Sequence, residues 1–170
     1  MTRLGEVVHA ALGRVLVVLV ALMTLTVGWQ VASRLLARFS MRMGWPLLVE
    51  PSRWTEELAG FQLAWLALLG AAYALRRGEH LGLDVLHQKL GPANRRRADL
   101  LVSALVGAFS VFVLGLGGLR LVMMTIELHQ RTSALGWPMA LIYSVVPVAG
   151  LLMGLFALEA FLRTLREEAR

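Results

Sequence analysis

An apolar run from Leu58 to Leu75, entered through Glu56-Glu57 and left through Arg76-Arg77, constrains the fold of this 170-residue chain more than any other stretch. About eighteen residues rising ~1.5 Å each cover roughly 27 Å, close to the hydrocarbon thickness of a bilayer. Carboxylates sit at the positive end of the helix dipole and arginines at its negative end, so both termini of the helix are marked. Trp54, just before the carboxylates, suits the aromatic belt at a membrane surface. The run reads as a membrane-spanning helix.

Three other apolar runs flank it, and the spans are predicted at about 15–36, 55–76, 99–125 and 136–162. The fold class expected is an all-α membrane protein of four transmembrane helices, with residues 1–170 forming one domain. With 58% hydrophobic and 16% charged residues, the composition agrees. A net charge of +6 would suit nucleic acid only on a soluble basic face. Here the positive charges cluster between apolar runs, which argues against nucleic acid. Cysteine is absent, which excludes disulfides, thiolate metal sites and cysteine redox chemistry in this sequence.

Between the runs the polar residues have readable patterns. Leu4, Val7, Val8, Ala11 and Leu12 have helical spacing, so the N-terminal residues are expected to lie on the membrane surface before the chain turns inward. The first run is longer than a signal-peptide core and lacks a small-x-small cleavage site after it, so it reads as an uncleaved span. Arg34, Arg38 and Arg42 beside Leu35, Leu36 and Phe39 read as a helix end whose arginines snorkel to head groups. Leu83, Leu86 and Leu90, with Asp84, His87 and Lys89 between them, predict a short interfacial helix at about 82–90. Asn94 is placed to cap the third span, and Arg95, Arg96 and Arg97 follow it as interfacial and topology signals. Trp137 marks the entry to the fourth span, and Pro147 should kink that span. Of the 17 Lys and Arg residues, eleven fall on the side that holds both termini and six on the other, which predicts cytoplasmic termini.

Each span carries a stripe of small residues, the usual means of close helix association in lipid. The first has Gly13, Ala21, Thr24, Gly28 and Ala32, and the second Gly60, Ala64, Ala67, Ala71 and Ala74. The third has Ser103, Gly107, Ser110 and Gly117, and the fourth Gly136, Ala140, Ser144, Pro147, Gly150, Gly154 and Ala157. Sequence leaves open which stripes pack within the bundle and which meet another subunit. The deep parts of all four spans lack Asp, Glu, Lys, Arg and His, whereas proteins that move ions place such groups near the midplane. That points to an accessory subunit rather than a self-sufficient carrier. A self-assembling channel or exporter is the alternative, and it would need a polar pore lining.

Other chemistries have little to stand on. Glu56 and Glu57 are candidates for pairing with a partner's arginines, or else a solvated helix start. Arg76 and Arg77 read first as topology determinants, with partner or lipid contact as the sharper reading. His80 and His87 would suggest haem, but both fall in a polar connection rather than facing each other across two spans. Glu127 and His129 offer two metal ligands without a third. No catalytic constellation is present, so no enzyme, metal site or cofactor is expected in this chain.

Two stretches are similar to a known family. Trp54-Thr55-Glu56-Glu57, an apolar span, and Arg76-Arg77-Gly78-Glu79-His80-Leu81-Gly82-Leu83-Asp84 resemble the most recognisable part of the DctQ-like small membrane subunits of tripartite ATP-independent periplasmic (TRAP) transporters. Ser133-Ala134-Leu135-Gly136-Trp137-Pro138, followed by Tyr143 and Pro147, resembles a second such stretch. The resemblance implies a non-catalytic inner-membrane subunit that scaffolds a large DctM-like partner. That partner would carry the substrate and sodium sites, and a periplasmic solute-binding protein would deliver an organic acid. The expected interface residues are Trp54, Glu56, Glu57, Gly60, Ala64, Ala67, Ala71, Arg76 and Arg77, with membrane lipids as the other neighbours.

Overall fold

The computed structural model describes residues 3–44, 52–77 and 92–166. Its first element, α1, is a single helix over Arg3–Met43, 41 residues long. At ~1.5 Å per residue it extends about 60 Å, roughly twice the hydrocarbon thickness. Helix α2 covers Arg53–Arg77. The third span is a composite of α3 (Pro92–Ala108), a π-helical segment (Phe109–Gly117) and α4 (Gly118–Glu127). The fourth comprises α5 (Met139–Tyr143) and α6 (Val145–Arg166). Four helical stretches, Gly5–Met43, Arg53–Arg77, Arg96–Glu127 and Met139–Leu165, are long and apolar enough to cross a membrane.

The helices are arranged α1 against α2, α2 against α6, and α6 against the third span. α1 is antiparallel to α2, because Gly5 lies beside Arg76 while Arg34 reaches Glu56. α2 and the fourth span run parallel, tied at one end by Glu57 to Ala134 and at the other by Arg76 to Glu159. The start of α1 and the end of α6 therefore lie at the same end of the bundle. The inner position of the fourth span shows in its burial: a third of its most apolar window is covered, against 6% for the first and third spans.

The first two helices pack by a heptad-like pattern. The covered positions of α1 include Gly5, Leu12, Leu16, Leu19, Met23, Thr26, Gln30, Ser33, Ala37 and Ser40, which alternate three and four residues apart from Leu12 onward. On α2, Thr55, Gln62 and Leu69 are buried at intervals of seven. A repeat near 3.5 residues keeps two helices in contact only if they coil gently left-handed. Leu12, Leu69, Ala72, Val145 and Phe156 form the central apolar cluster.

Small residues bring the third and fourth spans close together. A Cβ added at Gly150 would lie 2.6 Å from the Gly115 nitrogen and 2.8 Å from the Leu114 carbonyl carbon. Gly154 meets Val111, Gly107 meets Ala157, and Gly118 meets Pro147. The π segment sets this register. Seven residues beyond buried Ser110 an α-helix would present Gly117, but Gly117 is exposed and Gly118 is buried instead. The widened turn shifts the covered face by one residue, and Thr125, seven further on, continues the shifted phase.

Several expectations need correction. The N-terminal residues do not lie on the surface and then turn; they are the first turns of α1, which is continuous through Arg34, Arg38 and Arg42 to Met43. The third span begins at Pro92, so Asn94 stands inside the first turn rather than capping it. Proline, with no N–H to lose and φ already near helical, is favoured at that first position. Gly136 belongs to a loop, where its φ of +67° suits glycine, and not to the fourth helix. The fourth span is interrupted at Ser144, three residues before Pro147, because proline cannot donate to the Tyr143 carbonyl and crowds it. The expected interfacial helix at 82–90, with His80 and His87, lies outside the described residues.

Candidate subunit interface

α2 starts with Thr55 donating its hydroxyl to the Ser52 carbonyl at 2.6 Å and burying its side chain completely. This orientation fixes the two carboxylates that follow. Successive residues diverge by about 100° around a helix, so Glu56 and Glu57 reach opposite neighbours. Glu56 forms an ion pair with Arg34 of α1, and both side chains are half exposed. Glu57 accepts hydrogen bonds from the backbone N–H groups of Ala134 at 2.8 Å and Leu135 at 3.1 Å.

The loop that Glu57 grips is built for that contact. Gly136 N–H donates to the Thr132 carbonyl, Thr132 N–H to the Trp137 carbonyl, and Trp137 N–H to the Thr132 hydroxyl. Arg131 adds a 3.1 Å bond to the Gly136 carbonyl. The tight turn points two neighbouring amides at one carboxylate, which accepts both with its two oxygens. The two sequence stretches that carried the family resemblance thus meet at one end of the bundle.

Further along, the Trp65 indole N–H donates to the Ile142 carbonyl at 3.1 Å. Ser144 donates its hydroxyl to the Leu141 carbonyl at 2.6 Å. Both acceptors lie in the last turn before the break in the fourth span. Trp65 was not singled out from sequence. Its signal was an aromatic with a polar tip in the middle of an apolar span.

Between the directions taken by Glu56 and Glu57 lies a face of α2 that none of the described residues covers. Gly60, Ala64, Ala67 and Ala71 all fall within that sector of about 100°, and all four are exposed. Among the described residues, no atom lies within 4 Å of the Cβ position of Gly60. This stripe differs from those of the third and fourth spans, which close on each other. In α1, Ala21, Thr24 and Gly28 are also exposed, while a Cβ added at Gly13 would lie 3.2 Å from the Tyr73 ring.

The remaining expected residues fall elsewhere. Trp54, 43% exposed, lies off the open stripe, at the same end of the bundle as Trp137. Arg76 points inward, 3.8 Å from Glu159 and with its guanidinium carbon 5.4 Å from the centre of the Phe156 ring. Arg77 lies over Tyr73. Arg96 donates to the Thr164 carbonyl at 3.4 Å, and Arg97 is exposed. The side chain of Arg95 lies outside the description.

Comparison with known proteins follows the same pattern. The profile of the family described as tripartite ATP-independent periplasmic transporters, DctQ component, matches residues 43–167. The chain is similar to the C4-dicarboxylate TRAP transporter small permease protein DctQ of Rhodobacter capsulatus, with 33% identity over 59% of this chain and 44% of that protein. It is similar to the sialic acid TRAP transporter small permease protein SiaQ of Vibrio cholerae, with 31% identity over 57% of this chain and 51% of that one. With the ectoine TRAP transporter small permease protein TeaB of Halomonas elongata it shares 25% identity over 81% of this chain and 67% of that protein. The matched part spans about half the length of the first two relatives.

Proposed function

Because the chain belongs to the DctQ-component family of tripartite ATP-independent periplasmic transporters, a transporter component and not an enzyme, we propose that it is the small permease subunit of such a transporter in a bacterial inner membrane. A large DctM-like subunit carries substrate and sodium, a periplasmic binding protein supplies an organic acid, and this chain enlarges the fixed frame against which the large subunit moves. C4-dicarboxylates, sialic acids and other carboxylates remain the candidate cargo class. Both termini face the cytoplasm, in keeping with the excess of Arg and Lys at that end of the bundle.

The observation that carries this reading is the open stripe of α2. Its neighbours hold α2 on either flank, yet Gly60, Ala64, Ala67 and Ala71 are left for a helix that approaches closely. Co-expression with the adjacent large-subunit gene tests it. The two chains should co-purify, and uptake into liposomes should need both of them with the binding protein. Uptake by this chain alone, or loss of no co-purification on changing Gly60 to Leu, would overturn the scaffold role. For orientation, a cysteine at Ser133 should react with an impermeant maleimide added from the periplasm, and one at Ala169 should not.

A further inference from the structure

At the end of the bundle where α1 begins, His9 Nδ1 on α1 and one terminal guanidinium nitrogen of Arg76 on α2 are buried with no hydrogen-bond partner among the described residues. Both border the ring of Phe156, with His9 edge-on at 6.4 Å between ring centres and the Arg76 guanidinium carbon 5.4 Å from the ring centre. His9 is held there by stacking on Tyr73, with ring centres 4.1 Å apart and planes 8° from parallel. A Cβ on Gly5, one turn before His9, would sit 2.5 and 2.7 Å from the Glu159 carboxylate oxygens and 2.9 Å from Arg76, so the α1 backbone closes over this ion pair.

The charge that Arg76 has is only partly met. Glu159 approaches at 3.8 Å, beyond hydrogen-bonding distance, and through the other terminal nitrogen. The Arg76 side chain is 12% exposed, so an unmade bond there is a buried one. Such groups call for an unseen acceptor, and Arg and neutral imidazole with Nδ1 protonated are both donors.

We propose that His9 and Arg76 form a site for the phosphate of an anionic membrane lipid, seated where α1, α2 and α6 meet. Arg76 ends the apolar run of α2, which places its guanidinium at the depth of lipid phosphates rather than in bulk water. Arg77 over Tyr73, with Arg14 further along α1, adds positive charge to that of Arg76, which Glu6 and Glu159 only partly offset. Basic corners between membrane helices are where anionic head groups dock. The site is separate from the open stripe of α2 and stands whether or not the transport reading holds.

The test uses the full chain, purified and delipidated in neutral detergent, and reads the thermal unfolding midpoint. Phosphatidylglycerol should raise the midpoint of the natural protein by several degrees, and diacylglycerol with the same acyl chains should not. His9→Phe, which keeps a stacking ring but no nitrogen, and Arg76→Gln should each lose at least half of that gain. Equal gains in the natural protein and His9→Phe would overturn the site, even if Arg76→Gln fails to fold. A gain from millimolar inorganic phosphate equal to that from the lipid would overturn the lipid as occupant. No gain from phosphatidylglycerol would overturn the proposal outright.

Discussion

Changing Gly150 to Ala isolates the contact that joins the third and fourth spans. The added methyl would lie 2.6 Å from the Gly115 nitrogen and 2.8 Å from the Leu114 carbonyl carbon and Cβ. Ordinary contact begins near 3.4 Å, so the shortfall is 0.6–0.8 Å. Two of the three obstructing atoms are backbone, which no rotamer change can move. The spans therefore separate along their length, and the matched contacts at Gly154–Val111 and Gly118–Pro147 loosen with them. Overpacking of this kind costs about 1–3 kcal/mol. For a chain of this size that corresponds to a fall of roughly 2–12 °C in the unfolding midpoint. Gly60→Ala is the control, since its Cβ position is open and both substitutions make the same chemical change on a helix. Scanning fluorimetry of both variants in one detergent should show Gly150→Ala destabilised and Gly60→Ala unchanged or slightly stabilised. Equal midpoints for the two variants would refute the close-packed seam.

Glu57→Gln should speed amide hydrogen exchange at Ala134 and Leu135 while leaving the helix interiors protected; unchanged exchange at those two amides would mean the carboxylate does not hold the loop. Glu56→Lys should weaken co-purification with the large subunit but barely alter the stability of the chain, because a half-exposed pair is worth ~0–1 kcal/mol. The exchange Arg34→Glu with Glu56→Arg should restore assembly if the pair acts by orienting α1 against α2, and failure to restore it would assign Glu56 to the partner. Trp65→Phe removes the bond to the Ile142 carbonyl and should lower stability by about 0.5–1.5 kcal/mol, measured by the same fluorimetry; no change would mean water or a rearranged helix break satisfies that carbonyl.

Much of the architecture was legible in the chain because lipid leaves few choices. A run of apolar residues as long as Leu58–Leu75 is a spanning helix almost by length alone, and the charges at its ends mark its limits. Pro147 announced the break in the fourth span for an equally local reason. Glu56 and Glu57 could be named as a pair, but their division between Arg34 and the 134–135 amides could not. Adjacent carboxylates look alike until the neighbours on each side of α2 are known.

What the sequence determined by itself is the number of helices long and apolar enough to span a membrane, and the kind of residue able to bring helices together. These follow from the hydrophobic length of each helix and from backbone chemistry that acts within one turn. Only the tertiary structure decided that the stripes of the third and fourth spans are consumed by each other, through a π segment that moves Gly118 onto the seam in place of Gly117, while the stripe of α2 stays open. All four stripes offer the same close approach in lipid, with no hydrophobic drive to rank them. Which helix takes which face is settled by register and neighbour order, and those exist only once the bundle is assembled.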